Sequence, residues 1–207
     1  MSSLERVLDP LIELLRHKKE EMSRISIPRW IYRFRTYLAC PPLLFSLFSS
    51  YGDIDADRFK WPLGVAMFGV GMALRIWAQQ HLHHRLRVHK QLSSTGPYAL
   101  VRNPLYVGNI IMCVGVTVLS GLLWFVPVTL FWCIGTYSIV VRYEEARLLS
   151  KYGEAYRRYL LEVPRWLPKN WCLRNAGFMN EYFYESFLVE LPCSLVLLPY
   201  VIKEIVV

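Results

Sequence analysis

The sequence predicts an all-α fold, a multi-span transmembrane helical bundle of about five spans, on three observations. First, 54% of the residues are hydrophobic, and they gather in five near-continuous runs at 37–50, 61–78, 105–119, 122–141 and 187–202. Second, strongly charged stretches separate those runs. Third, only Ser120 and Gly121 divide the third run from the fourth, a joint that makes the two a tight antiparallel helical hairpin.

Most of the runs approach the ~20 residues with which a helix crosses the hydrocarbon core, and the two short ones call for tilt or local bilayer thinning. Ahead of them, residues 9–24 read as an interfacial helix. Asp9 can cap it, Pro10 stands where a first-turn proline is tolerated, and Leu11, Ile12, Leu14 and Leu15 form one apolar side. The other side is Arg16, Lys18, Lys19 and Glu20. Such a helix lies on a membrane, or else packs as a solvated helix on the cytoplasmic part. Residues 1–36 lack the pattern of a cleavable signal peptide, so the first run is expected to be retained. After the fourth run, residues 142–162 read as a polar helix with Leu148, Leu149, Tyr152, Tyr156 and Tyr159 at helical spacing, ended by Pro164 and Pro168. The last run contains Glu190, Pro192 and Pro199 and reads as a fifth span or a re-entrant segment. The chain thus divides into an N-terminal segment (1–36), a membrane core (37–169) and a C-terminal membrane-associated segment (170–207).

The net charge of +8 would suit a nucleic-acid partner, but its placement points to a membrane. Residues 1–36 hold eight Lys/Arg, 79–103 hold four with no acid, and 142–178 hold eight, whereas the loop after the first run carries Asp53, Asp55 and Asp57. Lys and Arg mark cytoplasmic loops, so crossings at the four central runs put every basic segment on one side. The expectation is a multi-pass protein with a cytoplasmic N-terminus, its basic faces near anionic lipid headgroups and no nucleic acid bound.

The five cysteines are scattered and form no C-x-x-C pair, which argues against a disulfide framework or a zinc site. His81, His83, His84 and His89 invite a metal reading. Membrane di-iron desaturases and hydroxylases have about eight histidines in three boxes, against five in this chain, so no metal is expected. No G-x-G-x-x-G or G-x-x-x-x-G-K-[ST] pattern exists, so a nucleotide-like cofactor must be held differently. The one G-x-G, Gly69-Val70-Gly71, lies inside the second run, where small residues allow close helix packing.

Two motifs carry chemistry. Ser94-Thr95-Gly96-Pro97-Tyr98-Ala99-Leu100-Val101-Arg102-Asn103-Pro104-Leu105-Tyr106-Val107-Gly108-Asn109 leads straight into the third run. A plain loop would explain its Gly and Pro but not the polar set Tyr98, Arg102, Asn103 and Tyr106; irregular backbone at membrane depth occurs where it lines a cavity. Arg142-Tyr143-Glu144-Glu145 stands where the fourth run ends. Adjacent carboxylates there are costly unless paired or used, and on a helix they point about 100° apart, so one faces inward and the other can pair with an arginine.

The motifs together resemble the isoprenylcysteine carboxyl methyltransferase and phospholipid N-methyltransferase family of membrane enzymes, over roughly residues 64–168. The matching elements stand in order: Gly71-Met72-Ala73-Leu74-Arg75-Ile76-Trp77-Ala78, the turn Gly96 to Tyr98, Arg102-Asn103-Pro104-Leu105-Tyr106-Val107-Gly108, Glu144-Glu145, Lys151-Tyr152-Gly153-Glu154-Ala155-Tyr156-Arg157-Arg158-Tyr159 and Val163-Pro164-Arg165-Trp166-Leu167-Pro168. The resemblance implies an integral membrane methyltransferase that takes a methyl group from S-adenosylmethionine (SAM) to a lipophilic substrate: a lipid, an isoprenoid or an amine headgroup. It implies a cytoplasmic cofactor pocket with His89, Leu92, Gly96, Tyr98, Asn103, Pro104, Tyr106, Glu144 and Glu145 as cofactor contacts, and Arg102, Asn103 and Glu145 as catalytic candidates. Gly69 and Gly71 match the G-x-G of the phospholipid branch. One departure matters: the carboxyl methyltransferase branch typically has His where this chain has Asn103, so no titratable base stands there and that branch's substrate does not carry over. Two other classes fit the same architecture, an NADPH-dependent membrane sterol or enone reductase and a non-catalytic lipid-binding protein.

Overall fold

The structure, a computed structural model, describes residues 32–49, 51–52, 57–84, 92–168 and 181–206; the helix expected at 9–24 lies outside the described residues, as does His89. Among them every regular element is helical. A 3₁₀ turn, Arg35–Ala39, runs into α1 (Cys40–Phe48), whose prolines occupy its first turn, where a missing N–H leaves no bond unmade. The long α2 (Asp57–His84) follows, then the single turn α3 (Pro97–Leu100) and α4 (Pro104–Leu119). A second 3₁₀ turn, Leu123–Phe125, opens α5 (Val126–Tyr152), and α6 (Glu154–Glu162) comes next. The C-terminal segment is α7 (Phe183–Glu190), a 3₁₀ stretch (Leu191–Leu197) and α8 (Leu198–Val206).

Three helical stretches are long and apolar enough to cross a membrane: Arg58–His83, Leu123–Tyr152 and Phe183–Lys203. Tyr37–Phe48 and Pro104–Leu119 are apolar but shorter; at 1.5 Å per residue the second reaches about 24 Å. The outer surface agrees with a lipid setting, since Phe48 is 82% and Phe131 76% exposed amid many other outward apolar side chains.

The hairpin between the third and fourth runs forms as expected. Gly121 takes φ +77°, Leu122 is fully buried, and Thr117 and Thr129 hydroxyls meet at 3.1 Å across it. The separate polar helix expected at 142–162 does not. No helix breaker lies at the end of the apolar run, so α5 continues through Glu144 and Glu145 to Tyr152, and the break falls at Gly153, with φ +52° and ψ −125°.

The core pair is α2 and α4, packed antiparallel through glycines two turns apart on each. A Cβ built on Gly64 would sit 2.7 Å from the Gly115 carbonyl oxygen, and one on Gly71 2.7 Å from that of Gly108. Both helices therefore touch backbone to backbone. Gly71 is a packing residue, while Gly69 faces outward with nothing within 4 Å of an added Cβ. The C-terminal segment closes on this pair and on α1: the Tyr200 hydroxyl donates to the Leu43 carbonyl (2.6 Å), and Lys203 Nζ donates to the Ser49 carbonyl (2.8 Å) at the end of α1.

Candidate functional site where α4 begins and α5 ends

Pro97 and Pro104 start α3 and α4 because each fixes φ at a first-turn position that needs no N–H. Between them the chain is extended at Val101 and reaches Asn103 with φ −130° and ψ 60°. Asn103 stands at the N-cap of α4, yet its side chain makes no capping bond. Its Nδ2 is buried with no hydrogen-bond partner, and so is Nε of the preceding Arg102. Two adjacent buried donors without acceptors are costly unless something else supplies the acceptor.

Arg102 is otherwise fixed. Its backbone N–H donates to the Pro164 carbonyl (2.9 Å), and its Nη1 lies 3.0 Å from Glu145 Oε1. Glu145, only 3% exposed, also accepts from Arg165 Nε at 3.2 Å and Nη2 at 2.5 Å. One carboxylate thus joins three segments: the loop before α4, α5, and the Pro164–Arg165 strap after α6. Charge-assisted bonds of this bidentate kind hold direction as well as position.

Glu144, one residue earlier and pointing elsewhere, is more accessible. The Tyr106 hydroxyl donates to its Oε1 (2.9 Å), and Arg35 Nη1 lies 3.9 Å away. Tyr106 packs against Tyr137 with ring centroids 5.0 Å apart.

The turn before α4 is supported from α6, where the Tyr159 hydroxyl donates to the Tyr98 carbonyl (2.7 Å). Burial pushes the Tyr98 hydroxyl well above the usual tyrosine range, the Glu144 carboxylate adds to that, and the Arg75 charge partly offsets it. Burial likewise raises Tyr159. Both remain neutral hydrogen-bonding groups. Gly96 has φ +61°, and an added Cβ would strike the His81 ring, so both the conformation and the space require glycine.

Of the sequence-predicted residues, the structure brings together Arg102 with Glu145 and Tyr106 with Glu144, with Asn103 and Pro104 at the start of the same helix. Tyr98 joins them through Tyr159. Leu92 instead packs against the Tyr156, Tyr159 and Val163 cluster on α6. His89 falls outside the described residues. Arg35 and Arg165 are the residues that sequence reasoning missed; Arg165 stood in a quoted motif, but nothing in its spacing showed that it reaches Glu145. Among the described residues no three His, Cys, Asp or Glu groups gather in a way that could hold a metal ion.

Among the described residues, arginines, carboxylates and unmet donors thus gather at one end of a glycine-packed helix pair, in an all-helical chain with three stretches long and apolar enough to cross a membrane. Residues 59–155 match the phospholipid methyltransferase family, within the isoprenylcysteine carboxyl methyltransferase-like group of membrane methyltransferases. The match covers α2 to α5 and includes every motif residue from Gly96 to Glu145. Among curated proteins the chain is similar to the nickel-cobalt-cadmium resistance protein NccN of Alcaligenes xylosoxydans xylosoxydans, 30% identical over 52% of this chain and 50% of that protein. It is also similar to the cobalt-zinc-cadmium resistance protein CzcN of Cupriavidus metallidurans, 29% identical over 52% and 49%. The matches thus span about half the length of these curated relatives. No solved structure matches the chain.

Proposed function

We propose that the chain is a SAM-dependent methyltransferase that acts on a lipophilic substrate, with its cofactor site where α4 begins and α5 ends. The observation that carries this reading is the pair of orphaned buried donors, Arg102 Nε and Asn103 Nδ2, at the start of the helix whose Tyr106 hydroxyl donates to the Glu144 carboxylate. These residues fit the cofactor: the donors suit its carboxylate, ring nitrogens or hydroxyl oxygens, and Glu144 suits its ribose hydroxyls or ammonium.

When bound, SAM supplies a methyl group on a sulfonium, which transfers by in-line displacement. This chain's own residues have the task of orientation and water exclusion. Arg102 is aimed by Glu145, whose two oxygens are both engaged by arginines; Glu145 is therefore a positioning residue. Asn103 donates a hydrogen bond and carries no titratable proton. Glu144 holds the cofactor and, for an amine acceptor, is the carboxylate of the pair left to take the released proton, since arginines engage both oxygens of Glu145. The lipophilic acceptor enters laterally from the bilayer. The pocket faces the cytoplasm in a five-crossing arrangement with a cytoplasmic N-terminus, which the one-sided placement of Lys and Arg supports.

The test is transfer of labelled methyl from SAM to a lipid extract by purified protein. Transfer by the wild type, with loss in Glu144→Gln and in Arg102→Ala, is expected. Unchanged turnover in both variants would sink the site assignment, and binding of NADPH without SAM would restore the reductase reading.

A further inference from the structure

Arg75 stands about two-thirds of the way along α2, inside a membrane-crossing stretch, where a charge is costly and marks function. Its guanidinium is fully engaged on two sides. Nε donates to Glu190 Oε2 at 2.8 Å and Nη2 to Glu190 Oε1 at 3.0 Å, while Nη1 donates to Asn109 Oδ1 of α4. Glu190, only 2% exposed, comes from the last turn of α7. Ser186, one turn earlier on the same face, is also fully buried, so this face of α7 is turned inward. The aliphatic stem of Arg75 passes through a notch in α4: a Cβ on Gly108 would lie 2.6 Å from Arg75 Cγ. Asn109 follows Tyr106 by one turn and Asn103 by two. The Arg75 charge also reaches Tyr98.

We infer that the Arg75–Glu190 fork is a positioning device for the proposed methyl-transfer site, in which the C-terminal segment sets the placement of the first turn of α4 through Arg75 and Asn109. Glu190 lies outside the family-matched residues 59–155, so the segment beyond them is part of the working site. Removal of its carboxylate leaves a guanidinium without a counter-charge in an apolar layer. Arg75 then leaves Asn109 and Gly108 to find another partner, and the turn that carries Asn103 and Tyr106 loses its support. This inference rests on the proposed function.

The experiment uses the full chain in lipid nanodiscs, with turnover counted per SAM-binding molecule so that loss of folded protein does not register. Glu190→Ala is expected to lower kcat about tenfold or more at saturating SAM and to raise KM for SAM with it, because the displaced turn carries both Asn103 and Tyr106. The double variant Arg75→Glu, Glu190→Arg is expected to recover most of the lost rate. Dicyclohexylcarbodiimide, which adds to unpaired carboxyls in apolar settings, is expected to spare Glu190 in the wild type and label it in Arg75→Ala. An active wild type together with undiminished kcat in Glu190→Ala, or equal labelling of Glu190 with and without Arg75, overturns this inference alone. A wild type without methyl transfer overturns the proposed function, and this inference with it.

Discussion

Glu144 and Glu145 are neighbours in sequence and differ in what surrounds them. Glu145 is enclosed by Arg102 and Arg165, whereas Glu144 has one tyrosine hydroxyl and feels the charges of Arg35 and Arg147 without a close ion pair. That difference makes Tyr106 an informative position. Tyr106→Phe removes the donor to Glu144 and leaves the ring packed on Tyr137. A hydrogen bond to a charged group contributes about 1.5–3 kcal/mol, so SAM affinity is expected to fall about tenfold with little change in kcat, as measured by equilibrium binding and initial rates. An unchanged affinity would remove Glu144 from the cofactor's contacts. At this scale the sequence shows which residues are polar at a membrane boundary and that adjacent carboxylates diverge on a helix. It cannot show that Arg165 lies twenty residues beyond Glu145 yet against it, because that contact depends on how the chain turns at Gly153 and Pro164. The fork between Arg75 and Glu190 is hidden for the same reason: each reads as an isolated charge in an apolar run.

Glycines decide how the helices meet, and each position makes its own prediction. In Gly71→Ala the new methyl meets the Gly108 carbonyl at 2.7 Å and the Met112 side chain at 2.6 Å; such overpacking costs about 1–3 kcal/mol. Gly69→Ala meets nothing, and within a helix the change is worth about 0.5–1 kcal/mol of stability. Thermal unfolding in detergent is therefore expected to move down for the first and stay level or rise for the second. A fall in SAM binding for Gly69→Ala without a fall in stability would return this glycine to the cofactor. Gly153→Ala isolates backbone strain, since nothing lies near its Cβ while φ is +52°; about 1–3 kcal/mol of destabilisation is expected in the same measurement. The extents of α2, α4 and the hairpin turn were legible from apolar runs and from Ser120–Gly121. The end of α5 was not, because a change from apolar to polar residues marks where a helix leaves lipid, and only a residue such as Gly153 marks where it stops.

For the molecule as a whole, composition and charge placement indicated a membrane protein, and the three long apolar helices and the family match agree. The proposed orientation has a direct check. Reporters fused after residue 52 are expected to report the outer side and those fused after residue 168 the cytoplasmic side; the reverse pattern would invert the pocket. What composition could not show is that the C-terminal segment is tied into the core by an ion pair, since hydropathy alone treats Phe183–Lys203 as one more crossing.

The paired glycines of α2 and α4 also restrict motion. Gly64 faces Gly115 and Gly71 faces Gly108, two teeth at matching pitch on opposed rods. Sliding one rod by a single turn would set side chains such as Met67 or Met112 against bare backbone, so axial travel is blocked and the two rods behave as one fixed frame. Any breathing that admits a lipid from the bilayer therefore belongs to the parts hung on that frame.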